Sequence, residues 1–113
     1  YMSEEILINY ISNALNHIKN VNGEKYIEIK INRDKEVVRV SVFNTGECIP
    51  EEEIDRVWEK FYKIDKARTR EYGGSGVGLS IVKAIVELHH SNCGVINHEN
   101  GVEFWVEFDG KNE

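Results

Sequence analysis

Apolar positions fall into two periods along the chain, and the change of period marks the elements. Ile6, Leu7, Tyr10, Ile11, Ala14, Leu15 and Ile18 recur at three- and four-residue intervals, which predicts an amphipathic helix from about Ser3 to Lys19. Ser3 is suited to cap it, and Glu4 and Glu5 suit the positive end of its dipole. Asn20, Asn22 and Gly23 then end the helix. Ile27, Ile29 and Ile31 alternate with Glu28 and Lys30, and Val38, Val40 and Val42 repeat the alternation after a polar turn at Asn32 to Glu36. This period of two predicts a hairpin with one apolar face. A loop from Asn44 to Pro50 leads into a short amphipathic helix over about Glu51 to Phe61, with Ile54, Val57, Trp58 and Phe61 on one side. Leu79, Val82, Ile85, Val86 and Leu88 place another helix from Val77 to about His89. Val95 and Ile96, then Val102, Phe104, Val106 and Phe108, predict a second hairpin that turns near Asn100-Gly101.

The order helix, two strands, two helices, two strands implies an α+β fold: a two-layer sandwich with helices on one face of a mixed, mainly antiparallel sheet. Glu28, Lys30, Arg39, Ser41, Glu103 and Glu107 give the opposite face a polar character, with Trp105 as the exception. The 113 residues suffice for one domain with one core. Apolar residues at 41% and charged residues at 30% fit a globular chain, with no run of membrane-spanning length and no secretory leader in the residues present. Cys48 and Cys93 are far apart and lack a metal-type spacing, so two buried free thiols are expected. A net charge of −6 argues against nucleic-acid binding. Positive charge is local, at Lys60, Lys63, Lys66, Arg68 and Arg70, after an acidic stretch from Glu47 to Glu59. Such runs are commonly solvated faces, but this one immediately precedes a glycine cluster.

Two features carry chemistry. Asn9, Asn13, Asn16 and His17 share the side of the first helix that flanks its core stripe, and amide oxygens can join phosphate oxygens around a hard cation. Gly74, Gly76 and Gly78 precede the last long helix, whose free N–H groups and dipole favour phosphate. Neither is specific alone. The cluster is not a dinucleotide fingerprint, because a charged loop rather than a buried strand leads into it, and it lacks the Walker Lys-Ser/Thr ending.

Together these segments resemble the histidine-kinase branch of the GHKL (Bergerat-type) ATP-binding fold that type II topoisomerase ATPase domains share. Leu7 to Ala14 resembles the N box, Asn44-Thr45-Gly46-Glu47-Cys48-Ile49-Pro50 the first glycine box, Trp58-Glu59-Lys60-Phe61-Tyr62 the F box, and Gly74-Ser75-Gly76-Val77-Gly78-Leu79 the second glycine box. Four motifs in order cover nearly the whole chain. A narrower resemblance is to vancomycin-resistance-type sensor kinases.

The resemblance implies that ATP and Mg²⁺ are the cofactors, with Asn13 as the metal ligand and Asn9 beside the phosphates. It implies that Asn44 reads the adenine amino group and that Gly76 and Gly78 admit backbone to the phosphates. Asn16, His17, Gly46, Ile49, Tyr62, Gly74, Val77 and Leu79 complete the implied nucleotide site, and Lys63, Arg68 or Arg70 on a lid from about Tyr62 to Ser75 would neutralise the triphosphate. In hydrolysing relatives a glutamate one turn before the metal asparagine activates water. Asn9 stands there and is no useful base, which disfavours water attack and an anti-sigma-type serine kinase alike. ATP would then serve a histidine on a separate dimerisation domain, with no certain catalytic residue in this chain. None of His17, His89, His90 and His98 is read as that histidine; His98-Glu99 has the residue pair but precedes a hairpin turn, and His89 and His90 suit a helix end.

The chain is therefore expected to be a cytoplasmic fragment, with a strand missing before Tyr1, of a membrane-anchored homodimer that signals to a response regulator. Three features depart from the family pattern. Asn44 replaces an aspartate, a loss of about 1 kcal/mol of charge assistance or roughly tenfold in affinity, so Asn44→Asp is expected to tighten ATP. Cys48 replaces a glycine, and Asn16 and His17 stand where a lysine and an aromatic are common. These departures support the alternative of a degenerate docking module of the same fold.

Overall fold

A computed structural model describes residues 2–59 and 78–109. Helix α1 spans Met2–His17, strands β1 and β2 span Ile27–Asp34 and Val37–Thr45, and a 3-10 helix covers Glu51–Arg56. Helix α2 spans Gly78–Leu88, and strands β3 and β4 span Asn92–His98 and Gly101–Asp109. The strands form one antiparallel sheet in the order β1-β2-β4-β3. The two hairpins predicted from alternation are thus joined through β2 and β4, the pair with the strongest apolar alternation.

The core lies between that central pair and the two helices. Val40, Val42, Val102, Phe104, Val106 and Phe108 meet Ile6, Tyr10 and Ala14 of α1 and Val82 and Val86 of α2, all buried. Trp58 packs edge-on to Phe104 at 5.7 Å between ring centres, which brings the F-box aromatic into the same core. The Tyr10 hydroxyl donates to the Trp105 carbonyl at 2.9 Å. Burial, then the neighbouring Cys93 thiol, hold that hydroxyl far above the usual phenol range. Burial likewise raises the Cys93 thiol, against the opposing pull of Lys83.

Several boundaries and burials differ from the sequence reading. Helix α1 starts at Met2, which puts Ser3 inside the first turn rather than at the cap, while Glu4 and Glu5 occupy that turn as expected. The segment after Pro50 is a 3-10 helix only to Arg56, and Phe61 lies outside the described residues. Leu15, Ile29 and Ile31 are exposed at 61%, 46% and 69%. Leu15 lies on α1 outside its buried stripe; Ile29 and Ile31 alternate as expected, but β1 is an edge strand, and period alone cannot say which strands a helix covers. Both cysteines are free, yet Cys48 is exposed and Cys93 only half-buried, because Cys48 sits on the outside of a loop.

On the outer face Trp105 lies across Gly94, where an added Cβ would fall 2.6 Å from the indole. The Arg39 guanidinium stacks 4.2 Å above that ring, so the odd aromatic of the polar face is covered from within the chain.

Helix α2 ends in a Schellman motif: the Ser91 N–H donates to the Val86 carbonyl at 2.9 Å and the His90 N–H to the Glu87 carbonyl at 3.2 Å. The motif needs a left-handed residue, and His90 takes it at φ 55°. A side chain with Cβ costs about 1 kcal/mol in that region. Accordingly, His90→Gly is expected to raise stability by roughly 0.5–1 kcal/mol in a denaturant titration; a loss would show that the imidazole makes a compensating contact.

Candidate nucleotide site

Gly46 of the first glycine box and Gly78 of the second both approach α1. An added Cβ on Gly78, the first residue of α2, would stand 3.2 Å from the Asn9 Oδ1. One on Gly46 would stand 2.8 Å from the His17 carbonyl oxygen and 3.2 Å from the Asn44 Nδ2, and Gly46 adopts φ 154°, which disfavours any side chain. Asn9, Asn13 and His17 are four residues apart, so they stack along one side of the helix. Asn13, half-buried, therefore lies one turn from each glycine contact. The Asn9 Nδ2 donates back to the Glu5 carbonyl at 2.9 Å, which turns its Oδ1 toward Gly78.

The first glycine box is held from both sides. Toward α1, the Lys19 N–H donates to the Thr45 carbonyl at 2.9 Å and the Lys19 ammonium pairs with Glu47 at 3.0 Å. Toward the β3–β4 turn, the Gly46 N–H donates to the Asn100 carbonyl at 3.1 Å and the Cys48 thiol to the His98 carbonyl at 2.9 Å. Cys48 is not among the residues with positive φ, so the missing glycine imposes no strain there.

Asn44 is 3% exposed, and its Nδ2 donates to the Thr45 carbonyl at 3.0 Å. That bond fixes which way the amide points, since a reversed amide would set oxygen against oxygen. It also changes the expectation for aspartate, which cannot donate to Thr45. Losing a buried bond costs about 1–3 kcal/mol, more than the roughly 1 kcal/mol that charge assistance offers. Asn44→Asp is now expected to lower the melting temperature without tightening ATP; tighter binding at an unchanged melting temperature would restore the sequence-based expectation.

Of the other residues read as site members, Asn16 is half-buried, Ile49 is a core residue at 3% exposure, and Leu79 packs against the core. Tyr62, Lys63, Arg68, Arg70, Gly74, Gly76 and Val77 lie outside the described residues, as does the rest of the lid. Among the described residues no cluster of three His, Cys, Asp or Glu side chains could hold a metal. The Asn13 amide oxygen suits a hard cation that phosphate and water otherwise coordinate. A cavity of about 190 Å³ opens on the outer sheet face, between Tyr26, Phe43, His98 and Glu103, on the side away from the helices.

Asn97 escaped the sequence reading. Its Nδ2 donates to the Ile49 carbonyl at 2.7 Å, and its Oδ1 accepts the Ile49 N–H at 2.9 Å. The available signal was an asparagine at the helix-facing position of a strand, in alternation with Cys93 and Val95.

A family model described as histidine kinase-, DNA gyrase B-, and HSP90-like ATPase matches residues 3–112. The chain belongs to this family. It is 40% identical over 85 residues to sensor histidine kinase WalK of Bacillus subtilis, covering 75% of this chain and 14% of that protein. It is 37% identical over 103 residues to sensor protein IrlS of Burkholderia pseudomallei, covering 90% of this chain and 22% of that one. The chain thus spans less than a quarter of these relatives' length. The catalytic domain of histidine kinase ThkA superposes with a TM-score of 0.77 at 32% identity, over 96% of this chain and 66% of that domain; ThkA has also been solved in complex with response regulator protein TrrA. Within the family, the proteins it resembles here are sensor kinases and the catalytic domain of a histidine kinase. These relatives do not carry the narrower resemblance to vancomycin-resistance sensors. Among the described residues no helix is long and apolar enough to cross a membrane.

Proposed function

We propose that the chain binds Mg-ATP and presents the γ-phosphoryl group to a histidine on a separate dimerisation domain of a two-component sensor kinase. The observation that carries this is the spacing along α1, with Asn9 against Gly78, the His17 carbonyl against Gly46, and Asn13 between them. In this reading Asn13 supplies the amide ligand to Mg²⁺, the metal balances phosphate charge, and Asn44 offers its oxygen to the adenine amine. Lys63, Arg68 or Arg70 completes charge neutralisation from the lid. Asn9 is engaged with Glu5 and lacks a basic atom, which keeps water attack slow and leaves the phosphoryl group for the histidine. By likeness to ThkA, a response regulator is the downstream partner; the same reading makes the complete protein a membrane-anchored homodimer.

The docking-module alternative loses two of its supports, since Cys48 is unstrained and Asn44 keeps a fixed acceptor. Calorimetry with Mg-ATP separates the readings: heat of binding, followed by phosphotransfer once a histidine domain is added, is expected. Absence of heat at millimolar nucleotide would leave docking as the function.

A further inference from the structure

We infer that Asn97 is a positioning residue for the base end of the nucleotide site. The inference rests on the proposed ATP-binding reading and adds a residue from the edge strand β3. Asn44 and Asn97 both pair with Val102, from β2 and from β3, so they stand on the same helix-facing side at one end of the sheet, about 10 Å apart by strand spacing. The first glycine box leaves the sheet at that end. Beyond Thr45 the box runs past the last pair of the sheet, at Gly101, and a buried peptide group without a partner is costly. Asn97 answers this at Ile49 by donating and accepting at once, at 2.7 Å and 2.9 Å, as a neighbouring peptide would.

Burial of the Ile49 side chain anchors the loop, but it does not orient the main chain between Gly46 and Ile49. Asn97 does, and with the Asn100 and His98 carbonyls it ties that loop to the tip of the β3–β4 hairpin. The loop is thereby preorganised before nucleotide arrives, and the benefit appears as affinity.

The test compares Asn97→Ala, Asn97→Asp and a core control, Val106→Ala, in the 113-residue chain. Dissociation constants for Mg-ATP, Mg-ADP and adenosine are measured by calorimetry, and melting temperatures without nucleotide. Asn97→Ala is expected to weaken all three ligands by about the same factor, roughly tenfold, because the loop serves the part they share. Asn97→Asp retains the acceptor for the Ile49 N–H and is expected to lose less. Val106→Ala is expected to melt earlier with unchanged affinity. Binding by Asn97→Ala within twofold of the parent would overturn the inference, as would a loss confined to ATP, or an equal loss in Val106→Ala. If Asn97→Ala does not fold, parent-like affinity in Asn97→Asp overturns it. A parent chain that binds no ATP removes the nucleotide reading itself, and the positioning role with it.

Discussion

Gly101→Ala is expected to cost about 2–4 kcal/mol of stability, a large fraction of the roughly 5–15 kcal/mol that typically holds a domain folded. Gly101 opens β4 opposite Thr45 of β2. A Cβ there would sit inside the Asn44 carbonyl and 2.8 Å from the Phe43 ring. The carbonyl belongs to a central strand and cannot step aside without shifting the β2–β4 register, so this is overpacking against backbone rather than against a pliable side chain. Chemical denaturation of the variant measures the loss directly. A midpoint close to the parent's would mean that the hairpin re-forms with a different turn.

Asn13→Ala is expected to abolish the Mg²⁺-dependent part of ATP binding while leaving stability nearly unchanged. The side chain is half-buried on α1 and lies between the contacts made by the two glycine boxes, so truncation opens no core cavity. Alanine is also the better helix former. What disappears is the amide oxygen proposed to bind the metal. Titration with ATP in Mg²⁺ and in EDTA checks this: parent and variant should converge in EDTA and part by a hundredfold or so, about 2.7 kcal/mol, in Mg²⁺. Equal affinity in Mg²⁺ would remove Asn13 as a ligand.

Elements with strong periodicity were legible from sequence because burial on one face leaves a repeating trace. Helix α1, both hairpins and the antiparallel sheet follow from it. The same trace misjudged Ile29 and Ile31, because alternation reports a face, whereas helix coverage depends on strand order. The candidate site was legible where chemistry repeats along one helix, as at Asn9 and Asn13, or where glycine is required, as at Gly46. Asn97 and the close approach of Gly101 to Asn44 were not, since each acts on residues some fifty positions away and no local pattern marks the partner. The orientation of Asn44 belongs with them. Whether an amide outperforms a carboxylate there is decided by one neighbouring carbonyl, which only the folded chain reveals.

The chain has two tryptophans, and the fold sends them to opposite sides of the sheet. Trp58 rests on Phe104 on the helix side, and Trp105 lies on the outer face beneath Arg39. Trp105→Phe therefore leaves Trp58 as the one tryptophan, on the helix side of the sheet. Nucleotide arrival could then be followed by stopped-flow light emission, without a label.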